Sequence, residues 1–524
     1  MTVTESKPPQ YYDHTLTPLP VDATSLAEAL QELRVAVRNG SEMIQANEPI
    51  PEKWNVGGMF LHFQGVALAF LRLDYQSSVL GDKGITSPDY RDFALQRIPS
   101  GFPDFPLLPS RLSPAGSFSP LTAVSLRIFS TLAKVDWKLD AKPSLPQEDI
   151  TCLQDALTMA LQNEPLVVHD DKKAGADDIL YGRAGLLWLL INIRARRFSS
   201  ETEDALAPIF AAIPSLVRVI IEAGRQSANE YMERHGPEGA QPLMYPWLEG
   251  HNFFGAVHGS TGILTVLLAC QPKELKPYLV DIGSTITELC KLSNLQDGHL
   301  PMARPPFSYG QTSEFVQLCH GAPGLLILLA AALKNEHLTR DFWTPEWDET
   351  IYLASQRIWE EGLLSKGASL CHGISGNTWP WLLLYNTFEY HSTIRNGARR
   401  GYAERNGAPT SSSEDLNEKL TPDFFLSRAL PFMLHSRETR PYNTVPPTSG
   451  KEYSMPDQPY SLFNGLAGNL CAWAETCAVI QAELRKMELS EKGDAFEDDS
   501  IFQKAIHSQL GFPLLGGNGA VGLL

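Results

Sequence analysis

The stretch Ser369–Tyr385, SLCHGISGNTWPWLLLY, sets a cysteine beside a histidine, follows them with glycines at 373 and 376, and then runs apolar without a charged residue. The same design stands earlier in QLCHGAPGLLILLAAAL, where Cys319, His320, Gly321 and Gly324 precede an even more apolar run. Three further copies keep the glycine pair without the cysteine: Gly182/Gly185, Gly259/Gly262 with His258 just ahead, and Gly465/Gly468. Recurrence of one pattern along the chain reads as a single supersecondary unit used again, not as a string of unrelated domains.

Between the copies lie amphipathic segments, Leu206 to Ala223, Lys276 to Leu292, Glu349 to Glu361 and Thr421 to His435. A helix that is apolar on nearly every side must be enclosed by others, whereas an amphipathic helix can face water. The alternation therefore predicts an all-α fold with two layers of helices. Stacked in a line the units make a solenoid; closed on themselves they make a two-shell α/α toroid. Glycines three apart lie on nearly one side of a helix and permit close backbone approach at its start.

Outside the repeats, Ser25 to Asn39 has helical spacing with Glu28 three residues after Ser25, a capping box in sequence form. Met59 to Tyr75 reads as a mostly apolar helix, and Ser119 to Leu139 as another, with Leu121, Val124, Ile128, Leu132 and Val135 on its apolar face. The proline density of residues 81–120 predicts a long loop without regular helix, and residues 396–420, with the run SSSED, a solvated polar insertion. The apolar tail GFPLLGGNGAVGLL is too short for another unit and is of a size to plug a gap. One domain is expected over residues 1–524.

The chain has 43% hydrophobic residues, ample for a packed core, and a net charge of −17 that argues against nucleic acid or an anionic membrane as the main partner. Seven scattered cysteines are too few for a disulfide scaffold and point to a reducing, cytoplasmic setting. The N-terminal residues MTVTESKPPQYYDH have no basic and apolar signal pattern, and the apolar runs fall short of the roughly 20 residues of a membrane span. No integral membrane segment is expected.

Cys319, Cys371 and His372 together supply two thiolates and one imidazole, which leaves the fourth position of a tetrahedral zinc site open, the catalytic form of such a site. Buried cysteines also serve as plain core residues; their recurrence at one phase of the repeat favours the metal.

The series YGRAG, HGSTG, CHGAPG, CHGISGN and FNGLAGN resembles the lanthionine synthetase C-like family, over about residues 50–524, and GLLSKGASLCHGISGN resembles its eukaryotic branch. The resemblance implies an α/α toroid with seven inner and seven outer helices, and zinc held by Cys319, Cys371 and His372. It implies thiol addition, with glutathione joined to dehydroalanine or dehydrobutyrine in proteins or peptides, residues that arise by phosphate elimination from phosphoserine or phosphothreonine. His258 and Asp178 match family positions near the metal and are candidates for proton transfer or substrate orientation. Lys366 matches a lysine that holds an anionic substrate, and His320 is expected beside the metal as a substrate-orienting residue. The pattern departs from the family at Leu318, where relatives carry Trp, and at Phe315, where cyclases carry a basic residue.

Two other classes compete. One is a non-catalytic protein that binds zinc and glutathione for regulation. The other is a glycoside hydrolase, which needs two carboxylates facing one cleft; only Asp178 stands in suitable phase. No phosphate-binding, dinucleotide-binding or nucleophile-elbow motif is present.

Overall fold

The computed structural model describes residues 8–81, 87–131, 142–169, 172–306, 315–407, 416, 418–445 and 451–517. Six helices follow the repeat, five of them the glycine pairs: α1 Phe63–Tyr75, α2 Arg183–Arg194, α3 Ser260–Leu268, α4 Ala322–Ala332, α5 Ile374–Tyr390 and α6 Leu466–Lys492. Each of α2 to α5 packs on the next, α5 packs on α6, and α6 returns to α1. The gap between α1 and α2 is bridged by the helix Leu121–Thr131, which packs on α1 and sets Phe129 edge-on to Trp188 of α2 at 5.9 Å. The fold is all-α in its frame and toroid-like in its closure.

Burial follows the apolar pattern. Every residue of α3 except Leu268, and every residue of α4 except Ala331, is buried, which an amphipathic helix could not tolerate. Amphipathic helices cover them: Ala23–Asn47 lies on α6, Pro422–Ser436 on α5, Pro345–Glu361 on α4 and Ile213–His235 on α2. Their inward residues and the glycine-led helices form one contiguous apolar cluster.

The second glycine of most pairs lies against the chain six residues before it. A Cβ at Gly262 would sit 1.8 Å from the Ala256 carbonyl oxygen, and one at Gly376 1.9 Å from that of Leu370. The loop ahead of each helix therefore folds down across the helix's first turn. That crossing carries the residues just before each pair to one end of the ring.

Several boundaries differ from expectation. The first long helix is Ala23–Asn47, capped by Asp22, whose carboxylate accepts from Ser25 N at 2.8 Å; Ser25 does not cap it. The helix carries Gly40 where it packs on α6, because a side chain there would collide with Leu470. Within residues 81–120 a short helix, Tyr90–Leu95, forms between Pro88 and Pro99 with Asp89 as its cap. Helix Ser392–Asn406 occupies the start of the polar interval. Leu132 and Val135 and the run at 411–415 lie outside the described residues.

A small antiparallel sheet was not foreseen: β1 Leu166–His169, β2 Lys172–Gly175, β3 Pro246–Leu248, β4 His251–Phe253 and β5 Ala303–Arg304 pair in that order. By length and composition alone Ser200–His235 is long and apolar enough to cross a membrane. Here it is two helices, Ser200–Ala211 and Ile213–His235, with Leu216, Val217, Ile220 and Ile221 buried and Arg218 and Glu222 paired on the exposed side.

Candidate metal centre

Cys319 lies near the end of the loop before α4, and Cys371 and His372 near the end of the loop before α5. The two loops are tied by backbone: Cys319 N donates to Cys371 O at 3.2 Å, while Leu370 N and Cys371 N both donate to Phe463 O, at 3.0 and 2.9 Å, from the loop before α6. Asn377, in the first turn of α5, donates through Nδ2 to Val316 O at 2.8 Å and so clamps the Cys319 loop a second time. Gly255 makes room for the approach, since a Cβ there would lie 1.7 Å from Cys319 O. The turn before α5 lets the adjacent Cys371 and His372 face the same point: the ligand atoms of Cys319, Cys371 and His372 all lie within 4.8 Å of one another.

These three side chains form a cluster able to hold a metal ion, with soft donors in the majority. The cysteines are buried and His372 is half-buried. A hydrogen bond from the Cys371 thiol, helped by His372 and His320, holds Cys319 well below the usual thiol range, while the same bond and burial push Cys371 up. Two thiols and an imidazole drawn together between apolar helices make a donor set suited to a soft or borderline cation.

Beside it stands a carboxylate–imidazole pair. Asp178, 2% exposed, accepts from Tyr181 N at 2.7 Å and Gly182 N at 3.0 Å through Oδ1, and its Oδ2 lies 2.8 Å from His258 Nδ1. An ionised carboxylate only accepts, so it fixes the proton on Nδ1 and leaves Nε2 as the basic nitrogen. The loop ahead of the α2 pair and the residue ahead of the α3 pair are thus joined across the ring end. His320 lies next in line, its ring 6.2 Å from that of His258 and 5.9 Å from Phe253. Burial lowers its pKa, and its Nδ1 is buried with no hydrogen-bond partner among the described residues. Lys366 is exposed in the turn before Cys371, near enough to bias that thiol downward.

Two further features had no role assigned from the sequence. Trp247 of β3 stacks on His258 with ring centroids 3.9 Å apart and planes 19° from parallel. Arg183 and Asp177 form a buried two-point ion pair, at 2.6 and 2.8 Å, at the start of α2. Trp247 sits in a strand too short to announce itself, and the spacing from Asp177 to Arg183 has no meaning until the loop crosses the helix.

Comparison with known proteins agrees with the repeat. The family described as lanthionine synthetase C-like protein matches residues 135–406. A curated relative, "Glutathione S-transferase LANCL1" of Danio rerio, is 26% identical over 374 residues, 69% of this chain and 76% of that protein. "LanC-like protein GCL1" of Arabidopsis thaliana is 27% identical over 314 residues, 60% of this chain and 58% of that protein. Among solved structures "Nisin cyclase" aligns with a TM-score of 0.36 and 14% identity, covering 76% of this chain and 98% of that chain, a likeness too remote to add to the argument. With the family match spanning more than half its length, the chain belongs to the lanthionine synthetase C-like proteins.

Proposed function

We propose that the chain is a zinc-dependent thiol transferase that adds glutathione to dehydroalanine or dehydrobutyrine residues of proteins or peptides. The observation that carries this reading is the convergence of Cys319, Cys371 and His372 within 4.8 Å beside the Asp178–His258 pair. Two sulfurs and one nitrogen are a donor set that fits zinc, which Cys319, Cys371 and His372 would hold. Held by them, zinc would lower the pKa of an incoming thiol and so favour its thiolate at neutral pH. In the proposed reaction the glutathione sulfur forms a bond to Cβ of the dehydroamino acid, the C=C electron pair moves toward the Cα carbonyl as an enolate, and a proton returns to Cα. His258 is the proton carrier, with Asp178 fixing its tautomer. Lys366 engages an anionic group of the substrate, and the His320 imidazole orients it.

In this reading the toroid has the double shell of seven inner and seven outer helices, a single domain, and a cytoplasmic home. All seven cysteines being free supports a reducing setting. The relative named as a glutathione S-transferase supports glutathione as the thiol donor.

The test is direct. Purified protein is expected to carry about one zinc per chain by elemental analysis, as a single three-ligand site requires, and to convert a dehydroalanine peptide plus glutathione to the thioether adduct. Cys371→Ala is expected to lose both zinc and turnover; retention of both would sink the proposed site. Zinc and glutathione binding without turnover would return the regulatory, non-catalytic reading.

A further inference from the structure

Residues 508–517 run into the interior of the helical ring, where Phe512, Leu514 and Leu515 are almost fully buried. Four ring helices grip this segment with polar side chains that are themselves buried or half-buried. From α6, Glu475 accepts from Leu510 N and Gly511 N, both at 2.9 Å. From α1, Arg72 donates to Gly511 O at 2.6 Å, and Gln76, the residue just past its end, donates to Ser508 O at 2.8 Å. Asn386 of α5 donates to the Gln509 side chain at 2.8 Å, and Lys334, just after α4, donates to Gly517 O at 3.0 Å. Charges so placed are costly to bury. Their common target is one short piece of chain, which they hold at fixed depth.

At the inner end of that piece, Phe512 N donates to Gly516 O and Gly516 N to Phe512 O, both at 2.8 Å, which closes a tight turn that Phe512 begins. The Phe512 ring lies 5.0 Å from Trp379 and 6.1 Å from Phe463, centroid to centroid. Trp379 is on α5, the helix that follows Cys371 and His372. Phe463 stacks on Phe60 at 4.0 Å and is the residue whose carbonyl receives Leu370 N and Cys371 N.

We propose that residues 508–517 are an internal strut for the metal centre, and that Phe512 is a positioning residue that seats the Cys371 loop through Phe463 and Trp379. Its aromatic neighbours are Trp379 and Phe463, neither of them one of the three ligand-type residues. Its work is to keep the Phe463 carbonyl under two amides while α5 keeps its first turn beside it. Removing the ring frees both supports at once, so the loop should open more often without the ring of helices coming apart.

The experiment compares full-length Phe512→Ala with Phe425→Ala, a buried Phe deletion on the outer helix that packs on Phe388 near the far end of α5. Amide hydrogen exchange of the peptide spanning residues 366–373 is expected to accelerate about tenfold or more in Phe512→Ala, and to stay at the wild-type rate in Phe425→Ala. Phe512→Leu, which keeps much of the volume but loses the flat contact, should accelerate it by a smaller factor, and carries the comparison if the alanine variant does not fold. Cobalt(II), which reports thiolate ligands by its absorption, should be held about tenfold or more weakly by Phe512→Ala than by Phe425→Ala, the size expected when support behind a metal ligand is lost. The cobalt arm rests on the proposed metal site; the exchange arm does not, so a wild-type protein that takes up no cobalt would sink the site and leave the strut to be judged by exchange. Equal exchange in the two alanine variants, or none faster than wild type, would overturn the strut.

Discussion

Asp178 has two duties at once, and they can be separated by changing one atom. Its Oδ1 closes the turn into α2 by accepting from Tyr181 N and Gly182 N, and its Oδ2 faces His258 Nδ1. Asp178→Asn keeps an oxygen for the turn but presents an N–H2 to His258, which reverses the imidazole tautomer. Expected is a melting temperature close to wild type with turnover lowered about 100-fold or more. Asp178→Ala loses the turn as well and should cost about 1–2 kcal/mol of stability in addition. If Asp178→Asn turns over at the wild-type rate in the peptide assay, the pair has no part in proton transfer. Cys319, Cys371 and His372 are legible in the sequence because the Cys-His-Gly pattern recurs at one phase of a repeat, whereas His258 and Asp178 came into view only through the family resemblance. Trp247 was not, because a stacking partner is defined only by where β3 lies, and a three-residue strand leaves no periodic trace.

At the scale of elements, the glycine pairs were legible and their reason is now geometric: each spares a crossing of backbone on backbone. Gly376→Ala would drive a Cβ to 1.9 Å from the Leu370 carbonyl, next to Cys371, and no flexible side chain is there to yield. It is expected to destabilise the protein by about 3 kcal/mol or more, as a core strain that cannot relax does. Gly397 makes the opposite case. It sits within helix Ser392–Asn406 with nothing within 4 Å of the place a methyl would take, so Gly397→Ala should stabilise by about 0.5–1 kcal/mol. Thermal unfolding of the two variants beside wild type checks both signs. Elements without a repeat were read less well. The capping box at Ser25 was outcompeted by Asp22, whose charged oxygen is the stronger acceptor at a helix start. The proline-rich interval hid the helix Tyr90–Leu95 because the densest prolines begin only after it.

For the whole molecule, enclosure was legible from helices that have no polar side to turn outward, whereas closure into a ring instead of a linear stack came from the family resemblance. What the sequence could not disclose is the ionic interior, because Arg72, Lys334 and Glu475 stand in α1, just after α4 and in α6 like any helix residue until the ring closes over them. This interior gives the protein a pH dependence with two limbs. Burial raises Glu475 to about 7 against the pull of Arg72, the Gly511 and Leu510 amides and Gln76, so between its ordinary 4.5 and 7 the folded state binds more protons than the unfolded. Stability from this group is full below about 4.5 and is lost as pH rises to 7. Burial lowers Lys334 to about 7 against the attraction of Glu475, so between 7 and its ordinary 10.5 the folded state binds fewer protons. Stability from that group is least below 7 and recovers as pH rises toward 10.5. Each limb amounts to a few kcal/mol, on the order of 1.4 kcal/mol for every tenfold change in proton affinity on folding. Denaturant midpoints at about pH 5, 7 and 9 should therefore show a dip near neutrality in wild type that the double variant Glu475→Gln/Lys334→Met lacks. Glu475→Gln, which cannot ionise yet keeps an oxygen for the segment at 508–517, is expected to flatten the acid limb alone. Lys334→Met, similar in length and uncharged, should flatten the alkaline limb alone. A wild-type curve that parallels both variants across this range would mean that neither group changes its proton on unfolding, and that the charges are accommodated at the ring's centre without strain.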